Sequence, residues 1–241
     1  MKVAIYTLTR DRLPYTQHCF DILALKAGYP YDHFVVDNGS IDGTVEWLTT
    51  NRDRFKQVHL NDRNYGNNVG NNQALSMIGT SNYDLIIRMD NDCEVRSLRL
   101  LASIVDLYTH LQMMGLFLKY VVSPRVSGIV NQPPRIGALQ VNHWSLGQVA
   151  GIGGLFRIIP ALLLEGYQWP LDMSIVAGEE CVTNWLGREK GCLVCYVEDL
   201  EVYHYETTSG QEARFPEYHK RKLEEWNQIA ESTFQMPEPQ R

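Results

Sequence analysis

Short apolar segments alternate with segments of helical spacing along residues 2–89, and this order constrains the fold more than any other feature of the chain. The expected elements are, in order, strand Lys2–Thr7, helix Tyr15–Lys26, strand His33–Val36, helix Thr44–Arg52, strand Lys56–Leu60, helix Asn67–Ile78 and strand Asp84–Met89. Such alternation favours a mixed, mostly parallel sheet with helices on both faces. The chain has 241 residues and is 44% hydrophobic, enough to bury one core, so we expect a single α/β domain.

Two carboxylates one residue apart, Asp90 and Asp92, come directly after the strand that ends at Met89. Open α/β sheets bind their ligands at the carboxyl ends of strands. Hard oxygen ligands suit Mg²⁺ or Mn²⁺, which usually bind through one or two carboxylates together with substrate phosphates. The pair therefore predicts a site for a divalent cation and a phosphate. Two alternatives stay open: a solvated turn, and Asp90 as the cap of the next segment.

Five other motifs accompany this pair in a fixed order. They are V-D-N-G-S-x-D-G-T at 36–44, N-x-G-x-x-x-G-N-N at 64–72, G-G at 153–154, G-E-E at 178–180 and V-x-H at 202–204. The series resembles the inverting glycosyltransferases of family 2, including bacterial rhamnosyltransferase-like members, along about residues 2–205. The resemblance implies a single Rossmann-like GT-A domain. Such a domain transfers a sugar from a nucleoside-diphosphate sugar to an acceptor hydroxyl, with metal dependence and inversion.

The resemblance also implies a set of metal ligands. Asp92 is expected to bind the cation, and Asp90 to lie beside it near the ribose or a bridging water. His204 ends a predicted strand at the place where a histidine completes the metal shell in some similar enzymes. Neutral imidazole is an acceptable ligand for Mn²⁺ and a poorer one for Mg²⁺. A hydrogen-bonded core histidine is the alternative interpretation of His204.

The catalytic residues are expected at Glu179 and Glu180, which open a predicted helix that closes near Arg188. The positive end of the helix dipole favours the ionised carboxylate and so keeps it ready to accept a proton. The resemblance assigns the general base to Glu180, in a motif where Asp is more usual. The alternative is that both glutamates only stabilise the first turn of the helix.

The pocket for the nucleotide sugar is expected at the carboxyl ends of the first strands. The residues assigned to it are Thr7, Thr9, Arg10, Asp37, Asn38, Asn64, Asn71, Asp90, Asn91 and Gly154. An amide such as Asn38 presents both a donor and an acceptor, which suits the imide edge of uracil or thymine, so UDP or dTDP donors are favoured. A purely turn-forming role for Asn64 and Asn71 is the alternative.

The second half of the chain is expected to face the acceptor. We divide the GT-A domain, residues 1–210, into a nucleotide-binding half (1–95) and an acceptor-binding half (96–210), followed by a helical tail (211–241). The acceptor half contains a Pro/Gly-rich insert over Ser123–Trp144 and a strand over Gly151–Arg157. The acceptor is a glycan, a lipid-linked glycan or a protein. The tail allows peripheral contact with a membrane.

Composition and cysteine usage narrow the partners and the compartment. A net charge of −6 disfavours nucleic acid, and the longest apolar run, near Met113–Val122, is too short to cross a bilayer. The five cysteines have no metal-ligand spacing, so Cys192 and Cys195 are expected to be packed thiols. The chain begins with a strand rather than with a signal or transit segment. A cytoplasmic location is therefore expected.

Two other classes of protein remain as alternatives. A sugar nucleotidyltransferase would share the sheet and the carboxylate metal site, but it would carry a Gly-rich loop after the first strand, and residues 7–14 contain no glycine. A non-catalytic module that binds nucleotide sugars stays open because a fold does not guarantee an activity. A dehydrogenase is disfavoured because no G-x-G-x-x-G follows an early strand.

Overall fold

The computed structural model describes residues 1–129, 132–171, 181–205, 216, 217 and 220, and these residues are built around one ten-stranded sheet. The strands are β1 (Val3–Thr9), β2 (Asp32–Asp37), β3 (Gln57–Leu60), β4 (Leu85–Met89), β5 (Cys93–Val95), β6 (Tyr120–Ser127), β7 (Gly137–Val141), β8 (Trp144–Gln148), β9 (Phe156–Pro160) and β10 (Leu193–His204). Their order across the sheet is β3-β2-β1-β4-β9-β6-β10-β8-β7, and β5 pairs with β10 outside this path.

Five α-helices connect or cover these strands. They are α1 (Leu13–Lys26), α2 (Thr44–Thr50), α3 (Gly66–Ile78), α4 (Leu100–Met113) and α5 (Cys181–Glu189). The seven elements expected over residues 2–89 are all present, and their ends differ by at most two residues from those expected. The apolar periodicity of this half was therefore sufficient to locate each element.

The sheet is mixed, as expected. Strands β3, β2, β1 and β4 pair in parallel, whereas β9 pairs antiparallel with both β4 and β6. Parallel pairing brings the carboxyl ends of β1, β2 and β4 to one edge of the sheet. This edge is where an α/β sheet binds its ligands.

Helices cover both faces of the sheet, which confirms the predicted layers. Ile5 and Ile87 pack with α1 and α4 in one apolar cluster, while the neighbouring residues Tyr6 and Ile86 pack with α3 and α5 in another. Adjacent residues of a strand point to opposite faces, so buried strands such as β1 and β4 must be apolar on both sides. The helix α2 belongs to a smaller third cluster through Leu48.

The prediction of an insert over Ser123–Trp144 is wrong for the first part of that segment. Residues Tyr120–Ser127 form β6, a strand in the interior of the sheet between β9 and β10. Proline cannot donate to a β-ladder, and the register of β10 shifts between Val197 and Glu201, opposite Pro124 and Arg125. This irregularity explains how a proline is accommodated in an interior strand. The later part of the expected insert contributes β7, which forms one edge of the sheet next to β8.

Two further expectations concern the second half of the chain. The strand expected over Gly151–Arg157 begins later, at Phe156, so the glycines at 151, 153 and 154 belong to the loop before β9. Cys192 and Cys195 are buried and free of disulfide bonds, which confirms that they are packed thiols.

Some expectations fall outside the described residues. They are Glu179, Glu180 and the tail 211–241 apart from residues 216, 217 and 220. In the described part of the chain, no helix has both the length and the apolar character needed to span a membrane.

Candidate active site

Asp37 fixes the loop at the carboxyl end of β2. One of its carboxylate oxygens, Oδ1, accepts the N–H groups of Gly39 (3.2 Å) and Ser40 (2.9 Å). The other, Oδ2, accepts the hydroxyl groups of Thr9 (2.8 Å) and Ser40 (2.5 Å). Asp37 has no exposed surface. The carboxylate expected to contact the nucleotide is thus used to hold the ends of β1 and β2 together, as is Thr9.

Thr7 lies deeper in β1 and is also fully buried. Its hydroxyl is 3.1 Å from Nε2 of His33 on β2. Burial, together with the charge of Arg54, lowers the pKa of His33 to about 3, so the imidazole is neutral at physiological pH. Thr7 therefore links β1 to β2 below the candidate site, which explains why this predicted nucleotide contact has no exposed surface.

Asn38 uses both ends of its amide within the chain. Its Oδ1 accepts hydrogen bonds from Nδ2 of Asn61 (3.1 Å) and from the N–H of Tyr65 (3.2 Å), and its Nδ2 donates to the carbonyl of Gly66 (3.2 Å). Asn64 accepts the N–H of Gly66 at 2.9 Å. These bonds shape the loop that precedes α3. The amide of Asn38 therefore supports this loop, and its contact with a pyrimidine edge stays a prediction.

A buried polar chain runs beneath the sheet edge on the α3 side. Asn71 accepts the hydroxyl of Tyr6 at 2.9 Å, and Tyr6 also bonds to Arg157 of β9. Arg157 is paired across the β-ladder with Arg88 of β4. The guanidinium Nη2 of Arg88 lies 3.1 Å from Oδ1 of Asp90. Asn71 is thus linked to the predicted metal site through hydrogen bonds and a β-ladder pair.

The D-x-D segment is held in place by the loop before β9. The N–H of Asp90 donates to the carbonyl of Leu155 at 2.8 Å, which places the predicted residue Gly154 next to this segment in space. The side chain of Asp90 is 21% exposed and that of Asp92 is 3% exposed. Asp90 therefore faces the solvent side of the site and Asp92 its interior.

The structure brings the three predicted metal ligands together. Asp90, Asp92 and His204 each offer a ligand atom, and these atoms lie within 4.8 Å of one another. Nε2 of His204 is 3.3 Å from Oδ1 of Asp92. His204 reaches this place because β10 pairs with β5, and the N–H of Tyr205 donates to the carbonyl of Asp92 at 3.2 Å. Two carboxylates and one imidazole form a donor set that fits Mn²⁺ well and Mg²⁺ less well.

A guanidinium that the sequence motifs did not indicate contacts this cluster. Nη1 of Arg12 is 2.5 Å from Oδ2 of Asp92, and Nη2 donates to Oδ1 of Asn91 at 3.0 Å. Asn91 in turn donates to the hydroxyl of Thr16 on α1 at 2.9 Å. The predicted residue Arg10 lies two positions earlier and is partly exposed. A basic residue in a polar loop after β1 was the only signal for Arg12 in the sequence.

A second group that the sequence did not reveal supports the strand pair β5–β10. Glu94 is buried and accepts hydrogen bonds from the hydroxyl of Tyr205 and from Nε2 of His18 (2.9 Å), with Arg96 at 3.1 Å. Burial raises the pKa of Glu94, but these hydrogen bonds and the charge of Arg96 outweigh burial and lower it. The ionised Glu94 therefore ties α1 to the end of β10 beside His204.

A cavity of about 430 Å³ is lined by residues that neighbour the cluster in space, although Asp90, Asp92 and His204 do not line it themselves. Its walls include Ile129 after β6, Leu155 before β9 and Asn184 on α5. The neighbouring residue Gly128 has a φ of 85°, and a Cβ added there would collide with the carbonyl of His204. The cavity is thus bounded by residues adjacent to both His204 and Asp90. This volume suits a sugar-sized ligand.

The helix α5 borders the same cavity. The hydroxyl of Thr183, in its first turn, donates to the carbonyl of Ile152 at 3.2 Å. The described part of the helix begins at Cys181, directly after the predicted catalytic residues Glu179 and Glu180, which lie outside the described residues. The predicted general base therefore lies outside the described residues.

Comparison with known proteins agrees with this architecture. The family model for glycosyl transferase family 2 matches residues 4–118, which confirms the resemblance drawn from the motifs over that segment. The match covers the nucleotide-binding half of the chain, and the described residues have the GT-A fold. No curated protein sequence matches the chain significantly.

Several solved structures share the fold. The S. aureus TarS fragment 1–349 in complex with UDP-GlcNAc has a TM-score of 0.62 and 16% identity, over 84% of this chain and 58% of that one. The mannosyltransferase PcManGT from Pyrobaculum calidifontis, in complex with GDP-Man and Mn²⁺, has a TM-score of 0.60 and 15% identity, over 99% and 66%. GalNAc-T7 with UDP, GalNAc and Mn²⁺ has a TM-score of 0.62 and 13% identity, over 85% and 44%. The chain spans 36% to 60% of the length of the TarS chains that it matches.

Proposed function

We propose that the protein is an inverting glycosyltransferase that depends on a divalent cation and uses a nucleoside-diphosphate sugar as its donor. The observation that carries the proposal is the convergence of Asp90, Asp92 and His204 at the edge of the sheet where α/β folds bind ligands. A sugar-sized cavity is bounded by Leu155, whose carbonyl accepts the N–H of Asp90. The solved complexes of TarS with UDP-GlcNAc and of PcManGT with GDP-Man and Mn²⁺ support it through the shared fold.

The metal ligands in this proposal are Asp92 and His204, with Asp90 at the exposed side. When bound, the cation supplies positive charge that stabilises the departing nucleoside diphosphate. Asp92 is buried and negatively charged, and it already binds the Arg12 guanidinium. This contact with a positively charged group supports the proposal that the carboxylate also binds a cation. The donor set favours Mn²⁺ over Mg²⁺ because imidazole is a softer ligand than oxygen.

The general base in this proposal is Glu180, with Glu179 in a secondary role. Support comes from the resemblance and from α5, whose first described turn borders the cavity through Thr183 and Asn184. A single carboxylate on the acceptor side takes the proton of the attacking hydroxyl. The hydroxyl then attacks the anomeric carbon opposite the diphosphate, and the configuration inverts.

The donor nucleotide in this proposal is UDP or dTDP. Because Asp37 and Asn38 bond within the chain, they act by holding the loops around the base and ribose. Arg10 and Asn64, which are partly exposed, remain the candidates for direct contact. TarS was solved with UDP and PcManGT with GDP-Man, so the shared fold accommodates both kinds of base.

The acceptor in this proposal enters the cavity between β6 and the loop before β9. Apolar walls such as Ile129 and Leu155 pack against a sugar ring or an aglycone, and Gln132 and Asn184 offer hydrogen bonds. Glycans, lipid-linked glycans and proteins all carry suitable hydroxyl groups. The cytoplasmic location stays a proposal as well.

The direct test is the binding of UDP with and without Mn²⁺, measured by isothermal titration calorimetry on the Asp92→Ala variant. We expect the variant to lose Mn²⁺-dependent UDP binding because a hard ligand of the cation is removed. The matched control is Asp53→Ala, which changes an exposed carboxylate away from the site. Wild-type binding of UDP that is independent of Mn²⁺, or unchanged in Asp92→Ala, would refute the metal assignment.

A further inference from the structure

The guanidinium of Arg12 is positioned on the D-x-D segment by two bonds at once. Nη1 pairs with Asp92 at 2.5 Å and Nη2 donates to Asn91 at 3.0 Å. The side chains of Arg12 and Asp92 are 11% and 3% exposed. An ion pair so far removed from water is costly to break on one side only, because the remaining charge is left buried.

The backbone that carries Arg12 is strained. Asp11 and Arg12 have φ values of 54° and 61°, and such left-handed conformations are rare for residues other than glycine. Strain of this kind persists only where the surroundings enforce it, and it concentrates at functional sites.

Three hydrogen bonds enforce this conformation through Asp11. Its N–H donates to Oγ of Ser40 (2.7 Å), its carboxylate accepts the N–H of Ile41 (2.8 Å), and its carbonyl accepts Nδ2 of Asn91 (3.3 Å). The loop after β2 and the D-x-D segment therefore hold the strained turn from two sides. The turn directs Arg12 onto Asp92 rather than into solvent.

Arg12 and a divalent cation would compete for the same carboxylate, that of Asp92. Asp92 directs Oδ1 toward His204 and Oδ2 toward Arg12, so Arg12 contacts one oxygen of a proposed metal ligand. A guanidinium also matches the oxygens of a diphosphate, to which it can donate two parallel hydrogen bonds. Both of these potential partners belong to the same candidate site.

We propose that Arg12 couples metal binding to donor binding. Without a cation, Arg12 neutralises Asp92 and weakens the affinity of the site for free metal. When the carboxylate is taken by the cation, Arg12 leaves Asp92 and pairs with the diphosphate of the donor. Because the two binding events share one residue, each ligand should strengthen the other. This inference rests on the proposed metal site and deepens it.

The test compares Arg12→Met with wild type by titrating Mn²⁺ and following its electron paramagnetic resonance signal. Without nucleotide, we expect Arg12→Met to bind Mn²⁺ on the order of 10-fold more tightly, because the competing charge is gone. At saturating Mn²⁺, we expect UDP to bind on the order of 10-fold more weakly, because a charged hydrogen-bond donor is lost. Arg12→Lys should lie between the two in both measurements.

The matched control is Arg99→Met. Arg99 also precedes a helix with a left-handed φ, of 55°, but it is exposed and lies outside the candidate site. It should leave both affinities unchanged. Thermal melting adds an independent measurement of folding: Arg12→Met should melt below wild type without Mn²⁺ and gain more than wild type when Mn²⁺ is added.

Two failures can be distinguished. Equal Mn²⁺ affinity in wild type and Arg12→Met, together with loss of Mn²⁺ binding in Asp92→Ala, would overturn the role of Arg12 and leave the metal site standing. Unchanged UDP affinity in Arg12→Met would overturn the coupling. Mn²⁺ binding that is insensitive to Asp92→Ala would instead overturn the metal site itself.

Discussion

The buried carboxylate of Asp92 has a different partner on each of its two oxygens. It is 2% exposed, and within the described residues it contacts a guanidinium on one oxygen and an imidazole on the other. A charge removed from water in this way needs compensation from its surroundings. This need is the physical reason why a basic residue, Arg12, lies beside this carboxylate.

The proposed general base gives a kinetic prediction at the residue scale. Glu180→Gln keeps the size and polarity of the side chain but removes the proton acceptor, so kcat should fall by a factor on the order of 10² to 10⁴. Donor affinity should stay nearly constant, because the lost interaction acts in the transition state. Glu179→Gln serves as the matched variant and should be milder.

The measurements are steady-state kinetics, donor titration and NMR assignment of the product anomer. A product that retains the anomeric configuration would contradict the mechanism. So would turnover close to wild type in the Glu180→Gln variant.

His33 gives a prediction about pH and stability. Its pKa is lowered to about 3 by burial, whereas an unfolded histidine titrates near 6.5. Below pH 6.5 the unfolded state binds the proton and the folded state does not, so the stability contributed above pH 6.5 is lost as the pH falls toward 3. Between pH 6.5 and pH 5 this single group should lower the free energy of unfolding by about 2 kcal/mol.

Urea unfolding at the two pH values, with wild type and His33→Gln, checks this expectation. The variant should show a smaller loss of stability on acidification. His59→Gln is the control because His59 is exposed. Equal pH dependence in wild type and His33→Gln would argue against a neutral buried His33.

At the scale of elements, the close approach of β6 and β10 positions His204. Gly128 follows β6 with a φ of 85°, and a Cβ there would meet the carbonyl of His204. Gly128→Ala should therefore displace the end of β10, lower stability by about 1–3 kcal/mol and weaken Mn²⁺ binding.

Gly115→Ala is the matched control, since Gly115 has a φ of 70° but no neighbouring atom within 4 Å of an added Cβ. The Gly115→Ala variant should lose stability only through the strain of a positive φ at a residue with a Cβ. Both variants can be measured by chemical unfolding and by Mn²⁺ titration. The same loss of Mn²⁺ affinity in both would show that the contact with His204 is unimportant.

The elements also differ in how well the sequence predicts them. Strands β1, β2 and β4 are apolar runs bounded by polar turns, so local pattern was enough to find them. Strand β6 contains Pro124, which indicates a loop by local rules, yet its partners β9 and β10 make it an interior strand. Pairing between distant segments overrode the local signal there.

For the whole molecule, ligand binding should appear as added stability. UDP or dTDP with Mn²⁺ should raise the melting temperature more than GDP with Mn²⁺, because the proposed donor site binds a pyrimidine diphosphate more tightly. A ligand that binds the native state stabilises it by about 2.7 kcal/mol at 100 times its Kd. A thermal-shift panel of the three diphosphates, each with and without Mn²⁺, makes this comparison. A larger shift with GDP than with both pyrimidine diphosphates would contradict the proposed donor class.

The sequence by itself determined the α/β class, the strand that delivers Asp90 and Asp92, and the presence of His204 at the end of another strand. These features depend on local periodicity and on short motifs, which act over a few residues. Only the tertiary structure decided that Arg12 contacts Asp92, across a separation of 80 residues, and that Asn38 bonds to the loop before α3. The reason is physical: such contacts depend on strand pairing and backbone rotation, as in the left-handed turn at Asp11 and Arg12. Local pattern does not encode these.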